Sequence, residues 1–279
     1  MDNVHIPVEN MSWLFLLLVF LFTVEALTGG LKEATRRDLG LTSFLFVFNS
    51  AVMRPLVGIG LGLGAMALFP QYANALDGVT FWIAFPVTLF LMEWIFYWTH
   101  RWSHIGQKKG SKLTWLWKIH RTHHSAKHLD TSVTVRQNIF WTILSPHGWF
   151  VAVCVFVGWE TEIALSLGIM YVWNLLTHTN WRWDESMLKH PAFRALAHII
   201  ITPSLHHTHH GYGKDGKMYR NYALTFAFLD WAFGTLHIPE GRPSRYGVPG
   251  EDPHWTEEAF YPLNRLVRKS DKIQTTDSV

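Results

Sequence analysis

The stretch TFWIAFPVTLFLMEWIFYWTHRWSH, from Thr80 to His104, joins an apolar run to two histidines. As far as Thr99 the run carries a single charged residue, Glu93. A helix of roughly 20 mostly apolar residues can cross a bilayer, so this stretch predicts a membrane span with histidines at its end. His100 and His104 are one helical turn apart, which places both imidazoles on the same face of that helix.

Four more apolar runs indicate that the whole chain belongs in a membrane. Of the 279 residues, 49% are hydrophobic, and charge is sparse or absent over residues 13–31, 41–69, 139–158 and 163–177. The first run lacks the basic segment and cleavage pattern of a signal peptide, so we expect it to be a retained span. We therefore predict an all-α integral-membrane bundle of about five spans, re-entrant segments included, with a cytosolic helical cap.

Glycines recur at four-residue intervals in the second apolar run. The pairs Gly58/Gly62 and Gly60/Gly64 lie within a span rather than at a strand-to-helix turn, so a dinucleotide-binding fingerprint is excluded. In membrane helices this spacing is typical of close helix packing. The run predicts that a second helix packs against these glycines.

The basic residues predict the orientation of the chain in the membrane. In a five-span arrangement every Lys and Arg except Arg54 falls on one side, which is the cytoplasmic side by the positive-inside rule. All the histidine groups lie on that side or at its boundary. The rule holds for a bacterial inner membrane and for the endoplasmic reticulum, and the short loops favour the bacterial inner membrane. The net charge of +3 is small, so nucleic acid is not a predicted partner.

Histidines recur at one-turn spacing in three places and once alone. The sequence contains HRWSH at His100–His104, HRTHH at His120–His124 and HHTHH at His206–His210, with His178 between the last two. Neutral imidazole suits iron, copper, zinc and nickel, whereas the single Cys154 argues against a thiolate or iron–sulfur site. Nine imidazoles exceed the needs of one ion, so two metals are predicted. The predicted ligands are His100, His104, His120, His123, His124, His178, His206, His209 and His210.

The order of these motifs resembles that of the fatty acid hydroxylase/sterol desaturase superfamily of integral-membrane, non-haem di-iron enzymes. His100-x3-His104 after a long apolar run is similar to its first histidine box, and His120-x2-His123-His124 to its second. Thr202-Pro203 leading into His206-x2-His209-His210 resembles the third. The resemblance runs from about Glu93 to Pro239. We accordingly divide the single domain of residues 1–279 into a histidine-box catalytic region at 93–239 and a cytosolic C-terminal tail at 240–279.

This resemblance implies a monooxygenase that uses dioxygen to hydroxylate or desaturate an unactivated C–H bond in a lipid such as a fatty acyl chain or a sterol. It implies two iron ions, for which zinc can substitute in a purified sample. It also implies a separate electron donor, either a reductase, a ferredoxin or a protein of the cytochrome b type. The exposed basic loop with Lys108, Lys109 and Lys112 could dock an acidic donor, although the positive-inside rule alone also accounts for it.

Metal-binding imidazoles need a partner for their second nitrogen, usually a carboxylate or a carbonyl. Candidates for this supporting role are His207, Asp230, Asp130, Glu93 and Asn174. A helix cap or a surface salt bridge is the alternative for Asp130 and Asp230. Glu25 and Glu93 are costly inside a bilayer, so both are expected to face the protein interior.

Two other functions use similar residues. A zinc-dependent membrane hydrolase could activate water with imidazole ligands, although the helical HExxH signature is absent. A membrane metal transporter would place its ligands along a path at bilayer depth, whereas these histidines cluster at one side. Oxygen consumption coupled to lipid oxidation would separate the oxygenase from both alternatives.

Overall fold

The chain is mostly helical in a computed structural model that describes residues 12–181, 184–250 and 253–265. Twelve α-helices are present in the described residues. They are α1 (Ser12–Leu27), α2 (Arg36–Phe48), α3 (Arg54–Leu68), α4 (Phe81–Ile105), α5 (Thr114–His124), α6 (Trp141–Leu144), α7 (Pro146–Phe156), α8 (Glu160–His178), α9 (Pro191–Leu196), α10 (Pro203–His210), α11 (Phe228–Ala232) and α12 (Trp255–Phe260). A π-helical turn at Asn49–Met53 joins α2 to α3. The predicted all-α class is confirmed.

Within the described residues, two helices are long and apolar enough to cross a membrane. They are the continuous helix of 33 residues at Arg36–Leu68 and the 25-residue α4. None of the residues of α3 is buried, and Leu56, Ile59 and Leu63 are exposed on it. An apolar surface of this extent is one that lipid or another protein covers, which supports membrane association. The other predicted spans form shorter or less apolar helices, so the count of five stays a prediction.

Proline marks where several of these helices begin. Pro146, Pro191 and Pro203 each occupy one of the first two positions of a helix, where the missing N–H group costs nothing, whereas Pro55 lies just after the π-helical turn inside the continuous helix at Arg36–Leu68. Pro146 also divides the predicted span at 139–158 into α6 and α7, because the residue before a proline avoids the helical conformation. A break of this kind was not expected from the hydropathy of the run.

The glycines of α3 pack against nothing in the described residues. A Cβ atom built at Gly58, Gly60, Gly62 or Gly64 would meet no other atom within 4 Å. The prediction that a second helix of this chain packs there is therefore wrong for the part of the chain that the structure describes. These glycines lie on an open face of an apolar helix.

Helix α4 lies at the centre of the packing that forms the site. Met92 packs with Cys154, Ile163 and Met170 between α4, α7 and α8. Further along α4, Tyr97 belongs to a cluster contributed largely by α10 and the segment that follows it. Two short strands, β1 (Gly211–Tyr212) and β2 (Arg245–Tyr246), pair antiparallel and hold the later part of the chain beside the end of α10.

Candidate metal centre

The predicted ligands all lie in the last turns of four helices. His100 and His104 are near the end of α4, and the second box ends α5. His178 is the last residue of α8, and the third box ends α10. The C-terminal end of a helix carries partial negative charge on its free carbonyl groups. Four such ends that meet at one place favour a cation among them.

The nine imidazoles form two separate groups of potential ligand atoms. In each group the ligand atoms all lie within 4.8 Å of one another. The group of five contains His100, His104, His120, His124 and His209, and the group of four contains His123, His178, His206 and His210. All nine residues are at most 5% exposed. The structure therefore brings all nine predicted ligands together, and the second and third boxes each contribute to both groups.

Contacts within the group of five converge on one nitrogen. His124 Nε2 lies 3.1 Å from His104 Nε2, 3.0 Å from His120 Nε2 and 3.2 Å from His209 Nε2. A single ring nitrogen cannot form a proton-sharing hydrogen bond with three others at once, since a neutral imidazole carries one N–H. A cation that accepts all these lone pairs accounts for their convergence.

In the group of four, the ring protons of His123 and His178 point to backbone carbonyls. His123 Nδ1 lies 3.1 Å from the Val133 carbonyl oxygen, and His178 Nδ1 lies 2.7 Å from that of Asn174. A carbonyl oxygen only accepts, so the Nδ1 atoms that face these carbonyls donate and both Nε2 atoms present lone pairs. The Gln137 side-chain nitrogen also lies near His123 Nδ1, but at 3.3 Å it is farther away than the Val133 carbonyl, so we assign the ring proton of His123 to the carbonyl. These Nε2 atoms face each other at 3.3 Å with no proton between them. Two lone pairs at this distance repel unless a cation binds both.

The separations between nitrogens match those of ligands around one metal ion. For metal–nitrogen bonds of about 2.1 Å, neighbouring ligands would be about 3.0 Å apart in an octahedral site and about 3.4 Å apart in a tetrahedral site. In the group of four, His206 Nε2 is 3.1 Å from His178 Nε2, and across both groups the Nε2 contacts span 3.0–3.3 Å. The residues therefore fit two metal ions held by nitrogen.

Burial keeps these imidazoles neutral. Desolvation is the main cause that lowers the pKa of His120, His123 and His124 well below the usual range, and neighbouring histidines lower it further. The same causes lower the pKa of His206, and those of His209 and His210 likewise. Neutral imidazole is the form that binds a metal ion. The folded chain therefore presents ligands that need no deprotonation near neutral pH.

Backbone carbonyls, rather than carboxylates, orient two ligands of the group of five. His100 Nδ1 donates to the Tyr222 carbonyl at 2.6 Å, and His209 Nδ1 donates to the Arg220 carbonyl at 2.7 Å. Each bond fixes the tautomer and leaves Nε2 free to bind a metal. The segment at 220–222, which follows the third box, thus holds one ligand from the first box and one from the third.

Two buried carboxylates bind the backbone N–H groups of this segment and of the residues that follow it. Asp230 accepts hydrogen bonds from the Tyr222 and Ala223 N–H groups, both at 2.8 Å, and from the Thr235 hydroxyl at 2.6 Å. Glu93 accepts from the N–H groups of residues 224–226 at 2.7–3.3 Å. Both are 0% exposed, as expected for Glu93 from its place in an apolar run. Their support for the ligands is indirect, through the peptide backbone.

The other supporting candidates have different positions. Asp130 caps a 3-10 helix at Thr131–Val135 by accepting from the Ser132 N–H at 2.8 Å, which is the alternative role considered for it. Asn174 supports His178 with its backbone carbonyl rather than its side chain. His207 belongs to neither group, because its ring contacts the Tyr246 hydroxyl at 2.9 Å and the Thr179 carbonyl at 3.0 Å.

Arg136 is a residue of the site that the sequence did not reveal. It is 0% exposed, although its position in a basic loop suggested only an orientation signal. Its Nε donates to the Thr122 carbonyl at 3.0 Å and its Nη2 to the Ser125 hydroxyl at 2.8 Å. It also forms ion pairs with Asp38 at 3.0 Å and Glu258 at 3.4 Å. Arg136 thereby anchors the helix of the second box to both α2 and α12.

Two carboxylates in other segments also support the site. Asp184 accepts from the N–H of Ser204 at 3.1 Å and from its hydroxyl at 2.9 Å, and so holds the first turn of α10. Glu25 on α1 is 0% exposed and contacts segments beside two of the ligands. In the sequence, Glu25 is recognisable as a lone carboxylate in an apolar run, but the residues that it contacts cannot be read from the sequence.

Aromatic side chains border the histidines. The ring of Phe96 lies 5.2 Å from that of His100, and the ring of Trp141 lies 5.0 Å from that of His120. Trp117 lies 5.2 Å from His104. Phe96 also packs against the apolar cluster between α4, α7 and α8. The group of five therefore has a dry, apolar boundary toward the helices that would lie in a membrane.

Comparison with known proteins gives one match. A protein-family model described as fatty acid hydroxylase matches residues 85–235, which is more than half of the chain and includes all nine histidines. No curated protein and no solved structure matches the chain significantly.

Proposed function

The chain belongs to the fatty acid hydroxylase family, and we propose that it is an integral-membrane, non-haem di-iron monooxygenase that hydroxylates or desaturates a lipid. The observation that supports this most strongly is the pair of facing lone pairs on His123 and His178, whose ring protons are both committed to carbonyls. A cation at this position satisfies both nitrogens. The family match supplies the reaction class.

The chain offers five nitrogens to one iron and four to the other. Iron of this type takes about six ligands, which leaves positions for dioxygen. When bound, the two irons supply dioxygen activation and the oxidation of an unactivated C–H bond. The protein's part is to keep the imidazoles neutral, oriented and shielded from water.

The substrate we propose is an apolar chain or ring system, as in a fatty acyl chain or a sterol. Phe96 contacts both His100 and the apolar cluster between α4, α7 and α8, and Trp141 borders His120, so we expect a lipid carbon to approach the metals from that side without water. Exposed apolar residues on α3 and α4 support delivery of the substrate from a bilayer. A buried lipid chain would be held by contact area rather than by hydrogen bonds.

Electrons come from a separate protein in this proposal, as the family resemblance implies. Lys108, Lys109 and Lys112 are exposed on the loop between α4 and α5. This loop connects the helices of the first and second boxes, so an acidic reductase, ferredoxin or cytochrome b docked there would be close to the metals. Long-range attraction would raise the rate of encounter.

We further propose that about five helical segments lie in the membrane and that α5, α10 and the segments after them form a cytosolic cap. The distribution of Lys and Arg supports the cytoplasmic side for the cap. A bacterial inner membrane fits the short loops better than the endoplasmic reticulum does. Cysteine labelling of engineered single-cysteine variants, with Cys154 replaced, would map each loop to one side.

The proposal is tested by measuring metal, oxygen and product together. The protein is purified in detergent after growth with added iron, its metal atoms per chain are counted, and it is incubated with a chemical reductant, labelled dioxygen and a total lipid extract. We expect about two irons per chain and a lipid product that carries the label or has lost two hydrogens. The variant His198→Ala, which changes a histidine outside both groups, should behave like the original protein.

Other outcomes identify the alternatives. Zinc as the bound metal, with oxygen entering the product from water, would replace the proposal with a hydrolase. Metal that moves across a vesicle membrane without any lipid product would replace it with a transporter. Full metal content in a variant with both His123 and His178 changed to Ala would show that the facing nitrogens are not a metal site.

A further inference from the structure

Glu25 has no role in the family match, which begins at residue 85. It is the single charged residue of α1 within Ser12–Leu27, and it is 0% exposed. Burial of a carboxylate costs several kcal/mol unless hydrogen bonds compensate for the lost water, roughly the cost of a strongly destabilising mutation. A carboxylate at this position therefore needs partners strong enough to offset that cost.

Its partners come from two segments that are distant in sequence. Glu25 Oε2 accepts hydrogen bonds from the Thr131 N–H at 2.9 Å and from the Thr131 hydroxyl. Glu25 Oε1 accepts from the Asn180 N–H at 2.6 Å. Both oxygens are thus occupied, and each holds a different segment. Asn180 also donates from its side chain to the Leu129 carbonyl at 2.9 Å, which joins the two segments directly.

Each of these segments carries or orients a histidine of the group of four. Thr131 begins the 3-10 helix whose Val133 carbonyl accepts from His123 Nδ1 at 3.1 Å. Asn180 lies two residues after His178, just past the end of α8. Among the described residues, the hydrogen bonds of Glu25 do not reach the segment at 220–226, which orients ligands of the group of five. Its hydrogen bonds therefore act on one of the two groups.

We propose that Glu25 is a positioning residue for the metal held by the group of four, and that Asp230 has the equivalent role for the group of five. The inference rests on the proposed two-metal centre and deepens it. Its consequence is that the two metal positions are supported by separate carboxylates, one on α1 and one on α11. Each position can then be weakened without the other.

The substitution Glu25→Gln tests this at constant size. Glutamine has one acceptor oxygen, so it can hold Thr131 or Asn180 but not both, and its amide group meets an N–H donor at the other. Supporting groups of this kind contribute about 10–100-fold to metal affinity. In a titration of metal-free protein with Co²⁺, one of the two binding steps should weaken by about 10–100-fold while the other changes by less than about twofold.

Asp230→Asn is the reciprocal variant and should weaken the opposite step. Glu33→Gln is the matched control, because Glu33 lies eight residues further along and its side chain is 88% exposed. It should leave both steps unchanged. A double variant, Glu25→Gln with Asp230→Asn, should weaken both.

Amide hydrogen exchange of the metal-free protein identifies which site each variant affects. Glu25→Gln should speed exchange in peptides covering 129–135 and 178–181 and leave 220–226 unchanged. Asp230→Asn should do the reverse. A general loss of folding would instead speed exchange in all three segments, so this measurement separates positioning from unspecific destabilisation.

The possible results decide between the inference and the proposed function. If the original protein binds two Co²⁺ ions and Glu25→Gln changes neither step, or changes both equally, the inference is overturned and the metal centre stands. If the original protein binds no metal, both are overturned. Should Glu25→Gln fail to fold, Thr131→Val removes the hydroxyl donor alone, and a titration identical to that of the original protein would overturn the inference.

Discussion

Replacement of Arg136 by methionine should destabilise the fold more than any exposed substitution, because it removes the buried cation that joins three elements. The methionine keeps much of the side-chain volume but none of the donors. Arg136 is 0% exposed, and the Asp38 side chain with which it pairs is 10% exposed, so solvent screens their attraction little. Glu258 keeps Arg37 as a second partner, whereas Asp38 loses its closest cation.

The expected loss of stability follows from the buried charge that remains without a partner. Removal of one partner from a buried ion pair costs about 3–5 kcal/mol, since the remaining charge stays buried. The Thr122 carbonyl and the Ser125 hydroxyl, both in buried residues, also lose a donor. For a chain of this size the loss corresponds to a fall in apparent Tm on the order of 10 °C.

Thermal unfolding in detergent measures this change. Tryptophan fluorescence is followed at a fixed scan rate, with a chelator present so that metal binding does not contribute to the apparent stability. Arg245→Met, which changes an exposed arginine on β2, is the control and should stay within about 0.5 kcal/mol of the original protein. Adding Asp38→Asn to Arg136→Met should recover part of the loss, because no charge is then stranded.

A fall of less than about 2 °C, equivalent to roughly 1 kcal/mol or less, would refute the reasoning. It would show that water or a rearranged Arg37 replaces the guanidinium at small cost. A double variant less stable than Arg136→Met would equally contradict the view that the stranded carboxylate causes the loss.

Three further predictions concern the metals and the segment around them. His206→Ala and His209→Ala each remove a ligand from a different group. Each should therefore lower the iron content, measured by elemental analysis, by about one atom per chain rather than two. Loss of both irons in either variant would contradict the independence of the two groups. The folded-state pKa values of the second and third boxes lie below the unfolded value of about 6.5, so unfolding takes up protons below that pH. The free energy of unfolding of the metal-free protein should therefore be highest above about pH 6.5 and should fall as the pH drops below that value. Denaturant titrations at several pH values would contradict this if they showed no such fall. In Gly211→Ala the new Cβ would lie 2.2 Å from a Pro243 carbon, so a loss of about 1–3 kcal/mol is expected in thermal unfolding, and an unchanged Tm would show that Pro243 moves aside freely.

The sequence predicted the parts of the site that depend on local spacing. One-turn intervals placed His100 with His104 and His120 with His124, and both pairs lie in the group of five. The apolar run before His100 predicted the long helix α4. The family resemblance is confirmed by the match over residues 85–235. These features are readable because helical periodicity and hydropathy act within a few turns of chain.

Local patterns did not predict how two segments are broken or packed. Residues 139–158 are as apolar as a span, but Pro146 splits them into two short helices. The glycines of α3 have the spacing of a packing face, yet no described residue packs against them. Hydropathy and spacing describe one segment, whereas packing depends on which other segment is present.

By itself, the sequence determined that this chain is helical, that it carries nine histidines at metal-binding spacing, and that its family is that of the fatty acid hydroxylases. Only the tertiary structure decided how the histidines divide into five and four, because neighbours such as His123 and His124 point to different groups. It also decided that backbone carbonyls orient the rings and that Glu25, Asp230 and Arg136 hold those segments in place. These contacts join residues separated by up to 155 positions, and side-chain direction over such separations is set by packing rather than by local pattern.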